Sequence, residues 1–125
     1  MLTDIHHLDY VILLCDDLAR MKAFYHDALG FPIERDWDDW IEMRAGAVLL
    51  TIRIRGRSYD GQKVPGAAGV QLAFRVSPTE VDACYEELLE LEVEVLEAPR
   101  DQDYGHRTLF FRDPEGNILE VYAEI

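Results

Sequence analysis

Only two cysteines, Cys15 and Cys84, occur in the chain. They lack CxxC spacing and each falls among apolar residues, so a disulfide framework, a thiolate metal site and a reactive nucleophile are not expected. No apolar run approaches the length of a membrane span, and no basic-then-apolar leader is present, so the expected location is cytoplasmic. Positive charge is also scarce. Twelve Lys and Arg stand against 25 Asp and Glu, for a formal net charge of −13. Nucleic acid and anionic membranes need the opposite sign and are not expected as partners. A cationic ligand suits this charge, and so does simple solubility. The charge is unevenly spread: residues 77–97 carry eight acids and no Lys or Arg, while RIRGR at 53–57 is locally basic.

What is present is a regular alternation of short apolar segments. At 125 residues the chain has room for one domain with a real core. Strand patterns fall at 8–14, 40–44, 47–54, 70–76, 93–96, 108–112 and 117–123, each rich in Val, Ile, Leu or Phe and bounded by Gly, Pro or Asp. Two segments have helical spacing. The first follows Asp16-Asp17, with Leu18, Met21, Phe24, Tyr25, Ala28 and Leu29 on one face and Gly30 placed to end it. The second has Ser77 at the cap, Pro78 at the first helical position and Glu80 completing a capping box. Its apolar face is Val81, Cys84, Tyr85, Leu88 and Leu91.

The order of elements repeats. One strand, one helix and then further strands occur twice, giving an α+β fold of two βαβββ modules at about 5–55 and 68–124, joined by 56–67. Tyr10-Val11 falls on Gln71-Leu72, and Gly46-Ala47-Val48-Leu49-Leu50 falls on Gly116-Asn117-Ile118-Leu119-Glu120. A helix covers one face of each small sheet and leaves the other to curve around a cleft. On β-alternation, Leu72, Phe74, Leu119 and Val121 suit the helix side; Gln71, Ala73, Arg75, Ile118, Glu120 and Tyr122 suit the open side. The repeat therefore picks out four equivalent cleft positions: Tyr10, Leu50 (or Ile52 on a shifted register), Gln71 and Glu120.

Three stretches, DYVILLCDDLARMKAFYHDALGF (9–31), GVQLAFRVSPTEVDACYEEL (69–88) and YGHRTLFFRDPEGNILEVY (104–122), resemble the vicinal oxygen chelate superfamily. That superfamily includes glyoxalase I, extradiol dioxygenases, and fosfomycin- and bleomycin-resistance proteins. The resemblance implies a paired βαβββ cleft, often completed by a homodimer. It also implies that enzymes of the group hold a divalent metal with His, Gln or Glu at the four positions above. Here those positions read Tyr10, Leu50, Gln71 and Glu120, and only Glu120 keeps the usual ligand. One carboxylate and one amide do not make a catalytic metal site, which needs about three good protein donors. No metal or other cofactor is therefore expected.

The histidines do not fill the gap. His6 and His7 precede the first strand, and adjacent side chains in an extended chain point apart. His26 lies on the first helix. His106, with Tyr104 and Arg107, borders the cleft before the seventh strand and stands equally as a ligand contact or a solvated loop residue.

Trp37 and Trp40, within the acidic segment DWDDWIEM (36–43), can stack on a planar or cationic ligand. Trp40 suits a core position at the start of a strand, and Trp37, in the loop, is the expected ligand contact. Arg53 and Arg55 are candidates to pair with Glu120 or Asp9, to bind an anionic substrate, or to sit at the surface. The expected ligand-binding set is Tyr10, Trp37, Leu50, Gln71, His106, Arg107, Glu120 and Tyr122.

The function expected is metal-independent binding of a small molecule, with sequestration of an antibiotic or an aromatic or cationic metabolite as its concrete form. A glyoxalase-, isomerase- or dioxygenase-like enzyme is the alternative, with Glu120 as a metal-free general base beside Tyr10. A hydrogen bond from Tyr10 or Gln71 to Glu120 is the plainer account of the same residues.

Overall fold

A computed structural model describes all 125 residues. The chain divides into two compact units, Met1–Lys63 and Val64–Ile125. In the first, a 3-10 turn at Leu2–Asp4 precedes β1 (Tyr10–Cys15) and α1 (Leu18–Lys22). A π-helical turn, Ala23–Ala28, follows, and then β2 (Ile33–Trp37), β3 (Trp40–Ala45) and β4 (Val48–Ile54). The second unit holds β5 (Gln71–Arg75), α2 (Pro78–Glu90), β6 (Val95–Asp101), β7 (His106–Arg112) and β8 (Ile118–Glu124). The sheets have matching orders, β1-β4-β3-β2 and β5-β8-β7-β6. In each, the first and last strands pair in parallel and the other neighbours pair antiparallel.

Each sheet buries the face that its helix covers. In the first unit Leu13, Cys15, Ile41, Met43, Leu50 and Ile52 are buried together with Met21, Phe24 and Tyr25 of the helical segment. In the second, Leu109, Phe111, Leu119, Val121 and Ala123 are buried along with Val81 and Leu88 of α2. Neither cysteine is in a disulfide, and burial pushes the Cys84 thiol up, away from the thiolate a nucleophile needs.

Strand β2 is absent from the sequence expectation because four of its five residues are exposed. It is an edge strand and carries charges where an inner strand carries Val or Ile. Its last residue is Trp37, which is therefore not a loop residue. The other edge strand, β6, runs on to Asp101, and Pro99 fits there because an edge strand tolerates a missing donor.

Asp17 caps α1 as expected, accepting from Arg20 N at 3.1 Å. The helix then widens, with Leu29 N donating to Phe24 O, so the residues beyond it leave the apolar face and Ala28 is exposed. At α2, Ser77 is the N-cap but its side chain makes no capping bond, so the expected box is not formed. Leu91 also departs from expectation and is exposed, because it lies past the last helical turn.

That end of α2 is strained. Glu92 N donates to Leu89 O and Val93 N to Leu88 O, the paired bonds of a Schellman motif, and Glu92 takes φ +57 to make them. Glutamate pays a steric penalty there that glycine does not, and its charge opposes the helix dipole. Glu92→Gly is expected to stabilise the protein by about 1 kcal/mol in a urea titration. A loss of stability would show that φ +57 carries no penalty here.

Candidate functional site

The open face of each sheet is set by register. In the first unit Tyr10 lies opposite Leu49, Ile12 opposite Thr51 and Leu14 opposite Arg53. Across β3, Leu49 meets Arg44, Thr51 meets Glu42 and Arg53 meets Trp40. Tyr10, Thr51, Glu42 and Trp40 therefore share the face turned away from the helix.

Leu50 does not belong to that face. It is 2% exposed and lies in the helix-covered core with Ile52. The expected assignment is off by one because Gly46 opens a two-residue hairpin loop, with Ala45 facing Val48, whereas Gly116 follows Asp113-Pro114-Glu115 in a longer turn. Matching glycine to glycine slips the strand by one residue, and a one-residue slip exchanges the two faces. Thr51 is the true counterpart of Glu120: it pairs with Ile12 as Glu120 pairs with Ala73.

Register also brings out Glu42, which the sequence reading leaves in a generally acidic segment. Its side chain is buried (5% exposed) on the open face. Oε2 accepts from Trp40 Nε1 at 2.8 Å and from Tyr10 Oη at 3.5 Å. The Tyr10 and Trp40 rings lie 6.3 Å apart at 56°. The signal was the alternation of Trp40, Glu42 and Arg44 with Ile41, Met43 and Ala45, which assigns Glu42 to the face opposite the core. Trp40 accordingly frames this carboxylate instead of entering the helix-side core. Trp37 is exposed, with the Arg35 guanidinium 4.9 Å from its ring centre.

Arg53 and Arg55 are both committed within this unit. Arg53 makes a bidentate pair with Asp60 at 2.7 and 2.9 Å, not with Asp9 or Glu120, and Arg55 pairs with Asp16 at 2.7 Å. Asp60 also accepts from Gly56 N and Arg57 N. The Arg53 hydrogen bonds first, and then these amides, hold its carboxyl well below the usual carboxylate range.

In the second unit the open face follows the expected alternation. Gln71 pairs with Ile118, Ala73 with Glu120 and Arg75 with Tyr122. Gln71 Nε2 donates to Glu120 Oε1 at 3.3 Å, so Glu120 is half-buried and partnered by a neutral amide. Phe110 lies on its other side. Tyr122 stacks on His106 with ring centres 4.7 Å apart at 24°, and Tyr104 meets His106 edge-on at 5.2 Å. His106 begins β7 and is thus strand, not loop.

Arg107 departs from the expected ligand set. It faces the helix side, binding Asp82 of α2 at 2.8 and 3.1 Å and Asp101 at 2.9 Å. These two carboxylates raise its pKa and bind the helix to the sheet.

Residues 5–121 match the family model described as the Glyoxalase/Bleomycin resistance protein/Dioxygenase superfamily. The Bacillus subtilis protein YwkD is 32% identical over 136 residues, covering 99% of each chain. A metallothiol transferase FosB of Staphylococcus haemolyticus is 25% identical over 128 residues, covering 98% of this chain and 85% of its own. Among solved structures, a glyoxalase/bleomycin resistance protein/dioxygenase from Nocardioides has a TM-score of 0.83 at 22% identity. It covers 96% of this chain and 84% of its own.

Proposed function

The chain belongs to the glyoxalase/bleomycin resistance protein/dioxygenase superfamily, and on that premise we propose that it binds a small aromatic cation without a metal. The observation that carries this reading is Glu42, a buried carboxylate framed by Trp40 and Tyr10. A desolvated carboxylate beside aromatic faces attracts an ammonium or amidinium group by charge and by cation–π contact. Glu120, with Phe110, Tyr122 and His106 on the same face of its own sheet, offers a second arrangement of the same kind. The net charge of −13 favours cations at longer range.

The donor set does not fit the divalent metal that the superfamily's enzymes use. Register fills the four positions with Tyr10, Thr51, Gln71 and Glu120, a phenol, an alcohol, an amide and one carboxylate. No group of three or more His, Cys, Asp or Glu side chains is placed to hold a metal ion. Firm sites draw instead on several imidazoles, thiolates or carboxylates. Sequestration of a cationic aromatic drug is the concrete form of the proposal, in the cytoplasm and as a homodimer.

The test uses benzamidine and its neutral isostere benzamide as probes, with calorimetry and mass analysis of the recovered ligand. Benzamidine is expected to bind preferentially, and Glu42→Gln to weaken it by at least about tenfold, the loss of one charge-assisted contact. Equal binding of both probes, or a Glu42→Gln variant with unchanged affinity, sinks the reading. Recovery of a transformed ligand points to the enzyme alternative. Protein soaked in Ni²⁺, Zn²⁺ or Mn²⁺ and then desalted is expected to keep well under one equivalent per chain. Stoichiometric metal lost on Glu120→Ala overturns metal independence.

A further inference from the structure

A second feature lies where the parallel strands β1 and β4 end. A pocket of about 440 Å³ opens there, lined by Asp16, Arg55, Gly56, Arg57, Gly61, Gln62 and Lys63. In a chain with twelve basic residues against 25 acidic ones, three cations meet around it with a single carboxylate. That carboxylate, Asp16, is already paired with Arg55 at 2.7 Å.

The walls are held before any ligand arrives. Asp60 accepts from the backbone of Gly56 and Arg57 at 2.9 and 2.7 Å, and Arg53 grips its carboxylate from behind. The side chains of Arg53 and Asp60 are 10% and 2% exposed, so this clip is shielded from water. It fixes the backbone between two of the three cations. The Lys63 side chain makes no ion pair or hydrogen bond, and the Arg57 guanidinium donates only to the Tyr59 hydroxyl, at 3.3 Å.

We infer that this pocket binds a small, multiply charged oxyanion, with Arg57 and Lys63 as its direct contacts and Arg55 as supporting charge. A planar guanidinium fork and a mobile ammonium together suit an oxyanion with several acceptor oxygens. A preformed wall keeps the ordering cost of binding low. The occupant is small because the net charge of −13 repels a long polyanion, whereas a compact anion mainly meets the local positive field. Nothing in this assignment depends on the aromatic face, so either can fail alone.

The experiment is calorimetric titration of the full chain at low ionic strength with pyrophosphate in one arm and malonate in the other. One saturable site per chain is expected, with Kd below about 1 mM in at least one arm. Tighter pyrophosphate identifies a phosphoryl ligand, and tighter malonate a carboxylate; both support the site. Arg57→Ser with Lys63→Ser is expected to weaken binding by at least about tenfold. Arg75→Ser with Arg100→Ser, the same charge change elsewhere, is expected to leave it within about twofold. Should the first pair impair folding, Lys63→Glu alone serves, since Lys63 is exposed and unpartnered. Absence of saturable binding, or equal loss in both pairs, overturns the inference.

Discussion

Leu50→Glu is expected to leave the protein unfolded at 25 °C, while Leu49→Glu, one residue earlier, folds. Leu50 is almost fully buried among Leu13, Ile41, Met43 and Ile52. A carboxylate there has no partner, and its effective desolvation penalty is several kcal/mol, against a total stability of about 5–15 kcal/mol for a typical domain. Leu49 is half-buried on the opposite face and lies across from Arg44. A glutamate at that position stays within reach of water and shares Arg44 with Glu34, and is expected to change stability by no more than about 1 kcal/mol. Far-UV circular dichroism and urea titration distinguish the two variants. If Leu50→Glu is the better folded, the strand is out by one residue and Leu50 returns to the open face.

Asp113→Ala is the second large effect, expected to cost about 3 kcal/mol. The turn Asp113-Pro114-Glu115-Gly116 closes with Gly116 N donating to Asp113 O, and Gly116 takes φ +94. Aspartate at the first position, proline at the second and glycine at the fourth are what a type I turn favours. Yet the turn is held mainly by one buried carboxylate. Asp113 Oδ1 accepts from Glu115 N and Asn117 N, both at 2.9 Å, and Oδ2 from Asn117 Nδ2 at 2.8 Å. Alanine strands those donors in a site where Asp113 is only 5% exposed. Gly69 is shaped to the same group, since a Cβ there would stand 2.9 Å from Asn117 Oδ1. The comparison is Pro114→Ala, which keeps every bond to Asp113 and is expected to cost only about 0.4–1 kcal/mol through the unfolded chain. Equal losses in the two variants would show that turn stiffness, not the carboxylate, holds this corner.

Inner strands and both helices were legible in the sequence because burial on one or both faces writes a periodic apolar pattern. Leu119 and Val121 against Glu120 and Tyr122 is such a case, and their faces follow directly from alternation. The edge strand β2 wrote no pattern, because water on both sides leaves no reason for one. The open face of the second unit could be read since Gln71 and Glu120 sit on strands with clear alternation. In the first unit Leu50 lies one residue away from the position its repeat partner implies, because a two-residue loop stands where the second unit has a longer turn. Glu42 was hidden differently. Alternation assigns it to the open face, but among so many acids only its hydrogen bonds from Trp40 and Tyr10 set it apart.

The strand order has a consequence for how the chain is made. In each unit the strand synthesised last is an inner one, inserted between the first and the third. β1 therefore leaves the ribosome about thirty residues before its only partner begins, roughly 2–6 seconds at ordinary elongation rates. During that interval a strand rich in Val, Ile and Leu waits with both edges unsatisfied, and β5 repeats the episode later. Nascent chains from which β3 or β7 has emerged but β4 or β8 has not are thus expected to be the most chaperone-dependent, and release of the fourth strand to end that dependence.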